Sequence, residues 1–374
     1  MDTVNKLENI DLSENSSFSS IDANLALPKP VSLLDFMQDG KEYASIISGV
    51  RRAHESNTNI IVDLDSDLKI LLDDISEIRN RPYLLYVANM KVSSPYTSID
   101  GVDDTPFDEM VRSIPAGHDK IDIIIVTPGG SLEKAARFVD ILRSRFNNVS
   151  FILPYMCMSA GTVFCLSGDE IIMAETACIG PIDPQVRSKH GGWVPAQSII
   201  TLIDEINKRG REELREGRKV SWSDVVLLQN MDAKEIGNAY NASKFSTSLV
   251  KEYLFRYKFK NWTIREHTGQ KVTDEYKAKR ANDIASMLCE HSKWLSHSRE
   301  ITREMAENEL KLKITRPENI EGLDRAIRRL WALLTWWFEQ SSITKIYFTK
   351  NYCLLKHDPS LLRTANTRKG GVDI

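Results

Sequence analysis

The sequence predicts an α/β fold in which a parallel β-sheet is followed by a largely helical C-terminal region. Strand and helix patterns alternate through residues 121–174 with short turns between them, which is typical of parallel β–α–β crossovers. Beyond residue 198, segments rich in Lys, Glu, Arg and Ala favour helices as far as residue 312. These two observations define the fold class.

Composition narrows the possible function classes. Of the 374 residues, 42% are hydrophobic and 27% charged, and the net charge of -3 gives no basic footprint for nucleic acid. The five cysteines form no C-x-x-C pair, which favours reduced thiols, a cytoplasmic location and no metal. The polar start lacks the basic and then apolar pattern of a signal peptide.

Pattern changes along the chain suggest five regions. Residues 330–338 are apolar and aromatic but too short to span a bilayer, so we expect a helix buried against another domain or subunit. Membrane-surface contact is the less favoured alternative. The predicted regions are a flexible arm (1–30), a helical segment (31–80), a catalytic core (81–200), a helical region suited to oligomerisation (201–357) and a flexible tail (358–374).

The core is expected to begin with a buried strand at residues 83–88. The polar segment 90–118 follows and contains four acidic residues, Asp100, Asp103, Asp104 and Asp108. Carboxylates grouped in this way can bind a divalent cation, but their spacing does not match a calcium loop. We therefore interpret the segment as the solvated start of a helix over 107–114.

Three further strands and two helices complete the predicted core. Residues 121–126 are almost all β-branched, as expected for a strand covered on both faces. A helix over 132–146 has its apolar residues on one face. Strands over 149–154 and 170–174 are separated by a short helix that ends near residue 166. A late helix and a possible final strand are expected over 323–348.

Two strand-to-helix turns contain the residues that point to chemistry. In the first, Gly129 and Gly130 lack side chains, so the backbone can approach a substrate and offer N–H groups. In the second, Ser159 precedes Ala160 where a helix begins. A nucleophilic serine with the N–H groups of Gly130 and Ala160 nearby is the minimum for acyl transfer.

These motifs resemble a known family. The run 123–131, with Gly129 and Gly130, resembles the oxyanion loop of Clp-type and signal-peptide-peptidase-type serine peptidases. The runs 156–162, 168–171 and 180–185 are similar to one prokaryotic branch of that clan, the serine dehydrogenase proteinase family. The resemblance implies a ClpP/crotonase-like spiral of β–α units, Ser159 as nucleophile, Gly130 and Ala160 as oxyanion donors, no cofactor and a homo-oligomer.

The general base is less well defined. In Clp-type peptidases a histidine follows the nucleophile helix, and the matching position here is near Asp183. A Ser-Lys dyad would need a lysine from later in the chain, and Lys244 is our first choice because its predicted helix has apolar neighbours. Asp183 would then orient the base or cap backbone amides. The further candidates for the base are Lys189, His190, Lys219 and His297.

The leading hypothesis is thus a cytosolic serine peptidase that cleaves a peptide or protein substrate through an acyl-enzyme on Ser159. A regulatory partner protein is a further expectation. A second hypothesis is an acyl-CoA hydratase or isomerase, which would use the same paired amides without the serine. A third is a degenerate peptidase that binds peptides or acts as an oligomeric scaffold.

Overall fold

The fold is that of a computed structural model, which describes residues 31–58, 60–189, 191–265 and 268–358. The predicted arm (1–30) and the tail beyond residue 358 lie outside the described residues. The strands are β1 (Val31–Ser32), β2 (Ile60–Ile61), β3 (Tyr83–Ala88), β4 (Lys120–Val126), β5 (Asn148–Leu153), β6 (Met156–Cys157), β7 (Glu170–Met173), β8 (Cys178–Ile179), β9 (Gln185–Arg187), β10 (Trp193–Pro195), β11 (Ile301–Thr302), β12 (Ile343–Thr349) and β13 (Tyr352–His357).

The α-helices flank these strands and dominate the C-terminal half. They are α1 (Glu42–Glu55), α2 (Leu64–Arg79), α3 (Asp104–Ser113), α4 (Leu132–Arg143), α5 (Ala160–Cys165), α6 (Ala196–Arg215), α7 (Trp222–Asn230), α8 (Ala233–Tyr253), α9 (Asp274–Cys289), α10 (His291–Trp294), α11 (Arg303–Asn308) and α12 (Leu323–Gln340). A five-residue π-helix, Leu254–Lys258, continues α8.

A six-stranded sheet with the order β13-β12-β3-β4-β5-β7 forms the centre of the molecule. Its strands β3, β4, β5 and β7 are parallel, which confirms the predicted α/β class. The two C-terminal strands extend the sheet in antiparallel fashion, with β12 beside β3. Residues 343–357, grouped from sequence with the helical region, therefore pair with the core strands.

Burial of the sheet explains its composition. Every residue of β3, and all of β4 except its first, are buried, as expected for strands covered on both faces. Because the strands are parallel, their carboxyl ends meet at one edge of the sheet. The loop with Gly129 and Gly130 follows β4, and the turn with Ser159 follows β5 and the short strand β6, so both turns lie at this edge.

The helical region is built partly on a second, smaller core. Apolar residues of α6 and α8 pack together with Val186 of β9, separately from the main core. The aromatic helix α12 packs against α1 and α2 of the same chain. No helix in the described part of the chain is long and apolar enough to cross a membrane.

Candidate active site

Ser159 occupies a strained turn between β6 and α5. Its φ of 52° and ψ of -119° lie in a region that residues other than glycine rarely adopt. Such strain persists only where the surrounding structure enforces it, and it is concentrated at functional sites. The side chain is partly exposed while the neighbouring residues 157, 158 and 160 are buried. The turn therefore partly exposes the Ser159 side chain to solvent, whereas its neighbours in the turn are buried.

The loop after β4 packs directly against this turn. The N–H of Met158 donates to the carbonyl of Thr127 at 3.0 Å, and the N–H of Thr127 donates to the carbonyl of Met156 at 2.9 Å. Gly129 has a φ of 97°, and a Cβ at this position would lie 2.8 Å from the Cβ of Ser159. Only glycine permits this approach, which fixes the position of the loop relative to the Ser159 turn.

Gly130 is held by a third segment. The N–H of Ile99 donates to the carbonyl of Gly129 at 2.7 Å, and the N–H of Ser131 donates to the carbonyl of Ile99 at 2.8 Å. In the part of the chain that the structure describes, the N–H groups of Gly130 and Ala160 are used in no hydrogen bond. Because both residues line the cleft beside Ser159, these donors are available to an oxyanion.

A histidine and an aspartate form a hydrogen-bonded pair at the same cleft. His297 Nδ1 lies 2.8 Å from Oδ1 of Asp183, whose side chain is only 1% exposed. The imidazole is 28% exposed and lines the cleft with Ser159. A carboxylate accepts the Nδ1 proton, so in the neutral ring Nε2 keeps its lone pair and can take a proton.

The loop that holds Asp183 is fixed on both sides. The N–H of Ile182 donates to the carbonyl of Leu288 at 3.0 Å, and the buried hydroxyl of Ser246 on α8 donates to the carbonyl of Ile182 at 2.9 Å. The N–H of Ala196 donates to the carbonyl of Pro184 at 2.8 Å. Helices of the C-terminal region thus place the carboxylate that orients His297.

The cleft has a volume of about 620 Å³. Around the polar groups its wall is mainly apolar, formed by Leu132, Val163, Ile182, Pro184, Trp193 and Phe245, with the carboxylates Asp100 and Glu133 on the rim. A mostly apolar cleft with a few convergent polar groups is the usual form of a binding site. A smaller cavity of about 420 Å³ lies at the opposite edge of the sheet, beside Pro82 and Tyr83, and is remote from Ser159.

Comparison with known proteins identifies the part of the chain that builds the two turns. Residues 96–225 match the family model described as ClpP-like SDH-type serine proteinase. Through this segment the chain is similar to the ClpP-like serine proteinases. The segment includes Gly130, Ser159, Ala160 and Asp183, but it ends before His297. The family resemblance predicted from the motifs is therefore confirmed for residues 96–225.

Two uncharacterised proteins of Methanocaldococcus jannaschii are similar to this chain. One is 32% identical over 147 residues, which is 39% of this chain and 45% of the relative. The other is 34% identical over 108 residues, which is 29% of this chain and 32% of the relative. The chain spans less than half the length of these curated relatives.

Solved peptidase structures show partial similarity. The alignment with ClpP1 from Listeria monocytogenes covers 57% of this chain and 82% of the ClpP1 chain, at 14% identity and a TM-score of 0.27. The alignment with a mutant of a membrane-bound stomatin-specific protease covers 34% of this chain and 63% of the protease chain, at 21% identity and a TM-score of 0.24.

The structure brings most of the predicted peptidase site together. Ser159, Gly130 and Ala160 line one cleft, and Asp183 lies behind His297, the last of the candidate bases. Lys244, the first choice, is exposed on α8 and is not among the cleft-lining residues, although its neighbours Ala242, Phe245 and Ser246 are. The sequence gives only an indirect indication of His297, because Asp183 occupies the position at which Clp-type peptidases have their histidine.

Two further candidate bases also lie away from Ser159. Lys189 donates a hydrogen bond through Nζ to the carbonyl of Asn230, and Lys219 is exposed in the loop after α6. His190 falls outside the described residues. Cys157 is fully buried, and burial raises the pKa of its thiol well above the ordinary value, so it is not a competing nucleophile.

The acidic patch is divided between structural roles. Asp103 is fully buried against Lys345, and Asp104 accepts a hydrogen bond from Lys134 at 2.6 Å. Asp108 pairs with Arg112 one helical turn later. Within the described residues, no group of three or more His, Cys, Asp or Glu side chains could hold a metal ion.

Proposed function

We propose that this chain is a serine peptidase that hydrolyses peptide bonds through an acyl-enzyme on Ser159. The observation that carries the proposal is the Asp183–His297 pair, whose imidazole lines the same cleft as Ser159. A serine, a histidine oriented by a buried carboxylate and two free backbone donors are the parts of a Ser-His-Asp peptidase. His297 replaces Lys244 as the proposed base.

In the first half of the reaction, the Ser159 hydroxyl attacks the scissile carbonyl carbon as His297 Nε2 removes its proton. The carbonyl oxygen becomes an oxyanion, which accepts hydrogen bonds from the N–H groups of Gly130 and Ala160. Asp183 stabilises the imidazolium that forms. His297 then gives the proton to the leaving amine, the C–N bond breaks, and the acyl group stays as an ester on Ser159.

Water completes the reaction through the same groups. His297 removes a proton from water as its oxygen attacks the ester carbonyl, and a second oxyanion forms at the same donors. When this intermediate collapses, the proton passes from His297 to the Ser159 oxygen, and the peptide acid leaves. Each group returns to its starting state, so no cofactor is required by this scheme.

The chain order of the three groups is Ser159, Asp183, His297. Unrelated peptidases and hydrolases assemble the same geometry in different chain orders, so the order does not argue against the assignment. Among the described residues no hydrogen bond joins the Ser159 hydroxyl to His297. In proteins without substrate, such catalytic hydrogen bonds are often long and shorten only in the complex.

The proposal is tested with a fluorescent fluorophosphonate probe and fluorescein-labelled casein. We expect the probe to label the parent protein stoichiometrically, and Ser159→Ala to abolish labelling and to lower casein hydrolysis at least about 10³-fold. Ser144→Ala, an exposed serine whose hydroxyl bonds only within its own helix region, is the matched control and should keep full activity.

The result also separates the three hypotheses. Casein hydrolysis that survives Ser159→Ala would overturn the proposal. Absence of labelling and hydrolysis in the parent, with peptide binding retained, would favour a non-catalytic scaffold. Turnover of an acyl-CoA thioester by the Ser159→Ala variant would favour a hydratase or isomerase. The homo-oligomer, the regulatory partner and the cytoplasmic location remain predictions from the resemblance and the composition.

A further inference from the structure

A sealed ion pair lies under the loop that contains Gly130. Lys345 of β12 and Asp103 have fully buried side chains, and Lys345 Nζ lies 2.9 and 2.8 Å from the two carboxylate oxygens. Tyr86 donates to Asp103 at 2.9 Å, and the hydroxyl of Tyr347 also donates to it. Lys356 adds a more distant contact at 3.3 Å.

Burial acts against both charges of this pair, and it lowers the pKa of the Lys345 ammonium from its ordinary value. Burial acts to raise the pKa of Asp103, but the Lys345 ammonium and the hydrogen bonds outweigh it and hold that pKa below the ordinary value. A buried ion pair is often no more stabilising than apolar residues of the same volume. Stability alone is therefore a weak explanation for the pair, and its contacts with the backbone indicate a second role.

Each member of the pair holds one of the two peptide groups that flank the Cα of Ile99. Lys345 Nζ donates to the carbonyl of Ser98 at 2.8 Å, and this carbonyl belongs to the Ser98–Ile99 peptide. The N–H of Asp100 donates to Oδ2 of Asp103 at 3.0 Å, and this N–H belongs to the Ile99–Asp100 peptide. The ion pair thus fixes both peptide planes.

The opposite ends of the same two peptides hold the glycine loop. The N–H of Ile99 donates to Gly129, and the carbonyl of Ile99 accepts from Ser131, at 2.7 and 2.8 Å. Gly130 lies between these bonds, so close that a Cβ on it would be 2.3 Å from the Ile99 oxygen. Two short hydrogen-bonded paths therefore connect the ion pair to the backbone on either side of Gly130.

We propose that the Lys345–Asp103 ion pair positions the Gly130 N–H for the oxyanion, through the backbone of Ile99. Lys345 is a positioning residue in this assignment because it lies outside the cleft and contacts the backbone that holds the glycine loop. The inference rests on the proposed function, since the oxyanion donor belongs to that reaction. It adds a strand outside the family segment, β12, to the machinery that places the donor.

The test replaces Lys345 with Met, alone and together with Asp103→Asn. The single variant leaves a buried carboxylate that has lost Lys345 and keeps only the longer contact with Lys356. The double variant removes this charge, so it should recover much of any lost thermal stability. Two properties are measured: the maximal rate and half-saturating concentration of fluorophosphonate labelling, counted per labelled site, and hydrogen exchange at the amides of Ile99 and Ser131.

We expect both variants to lower the maximal labelling rate per site by about 10- to 100-fold, because a displaced donor weakens oxyanion stabilisation. The half-saturating probe concentration should stay within about twofold. Exchange at Ile99 and Ser131 should become at least about tenfold faster relative to amides of β5. A double variant that recovers stability without recovering the labelling rate would separate positioning from folding.

Arg79→Met is the matched control. Arg79 forms a largely buried ion pair with Asp122 at 2.9 Å, at the other end of the same sheet, and should change stability without changing the labelling rate or exchange at Ile99. Unchanged exchange and unchanged labelling in the double variant would overturn the inference. Failure of the parent to react at Ser159 would instead refute the proposed function, while the exchange measurement would still test the positioning contact.

Discussion

Asp183 and Asp103 are both buried beside a basic side chain, and their surroundings differ in one decisive respect. Asp183 lies 2.8 Å from His297, and Asp103 lies 2.8 Å from Lys345. The carboxylates are 1% and 0% exposed, so burial of the acid does not distinguish them. The basic partners do differ, because His297 is 28% exposed to the cleft and Lys345 is fully buried.

The comparison shows that the partner decides what a buried carboxylate can do. An imidazole that reaches the cleft can exchange a proton with a serine, water or substrate, which makes Asp183–His297 suitable for acid–base work. The Lys345 ammonium, which is fully buried and packs against the rings of Tyr86 and Tyr347, exchanges no proton with substrate, but it holds the carbonyl of Ser98 in place. One pair is suited to proton transfer, and the other to geometry.

Removing the imidazole should produce the largest loss of activity. A small loss would mean that the two buried pairs do not differ in function. We expect His297→Ala to lower casein hydrolysis by about 10⁴- to 10⁶-fold, because Ser159 loses its base. The melting temperature should change little, since the side chain is partly exposed. Initial rates and a thermal melt measure the two properties on the same preparation.

Lys244→Ala is the matched control for this variant. Lys244 is exposed and outside the cleft, so its removal should leave the rate within about twofold. Full activity in His297→Ala together with loss of activity in Lys244→Ala would return the role of base to the lysine. It would also place the two buried aspartates in the same structural class.

The parts of the molecule that the sequence predicts well depend on local patterns. The parallel strands follow from β-branched runs, and the two turns follow from Gly129, Gly130 and Ser159, each a few residues from the strand that precedes it. The matched family segment, residues 96–225, includes both turns and the parallel strands β4, β5 and β7, whereas β3 lies before it. Short-range patterns of this kind fix both the element and the edge of the sheet at which it ends.

The parts that could not be predicted depend on contacts between distant residues. His297 is 114 positions from Asp183, and it lies beyond the matched family segment, residues 96–225. Lys345 is 242 positions from Asp103 and sits in a strand whose other residues are buried, where a lysine would be expected to face solvent. Strand β12 pairs with β3, which lies more than 200 residues earlier in the chain. No local pattern reports such pairings.

Neutralising each aspartate should separate the two pairs by their type of effect. Asp183→Asn should lower casein hydrolysis by about 10³- to 10⁴-fold, because an amide no longer stabilises the imidazolium or enforces its tautomer, while stability changes by about 1 kcal/mol or less. Asp103→Asn should instead cost about 3 kcal/mol of unfolding free energy, because it leaves Lys345 charged and buried.

Urea unfolding gives the free energies, and hydrolysis per fluorophosphonate-labelled site gives the activities. The comparison predicts that the two variants rank in opposite order on these measurements. If Asp183→Asn were the more destabilising change and kept its activity, Asp183–His297 would be a structural pair like Asp103–Lys345. The proposed reaction would then lack an oriented base.

The smallest predicted effect concerns the hydrogen bonds that restrain the loop containing Asp183. Ser246 is buried on α8 and donates to the carbonyl of Ile182, the residue before Asp183. We expect Ser246→Ala to cost about 1 kcal/mol of unfolding free energy because the carbonyl loses its hydroxyl donor and keeps only the long contact with the Cys289 thiol at 3.9 Å. Hydrolysis should fall only a few-fold, since the Ile182 N–H bond to Leu288 still restrains the loop.

Ser248→Ala is the control on the same helix, because Ser248 is exposed and its hydroxyl bonds only to Phe245 within α8. It should alter neither property measurably. A loss in Ser246→Ala as large as that in Asp183→Asn would mean that the loop is held by this one bond. A loss confined to stability would mean that Asp183 keeps its place without it. The intermediate result expected here follows because the variant removes the Ser246 hydroxyl but leaves the Ile182 N–H bond to Leu288 and the longer Cys289 Sγ contact to the Ile182 carbonyl at 3.9 Å.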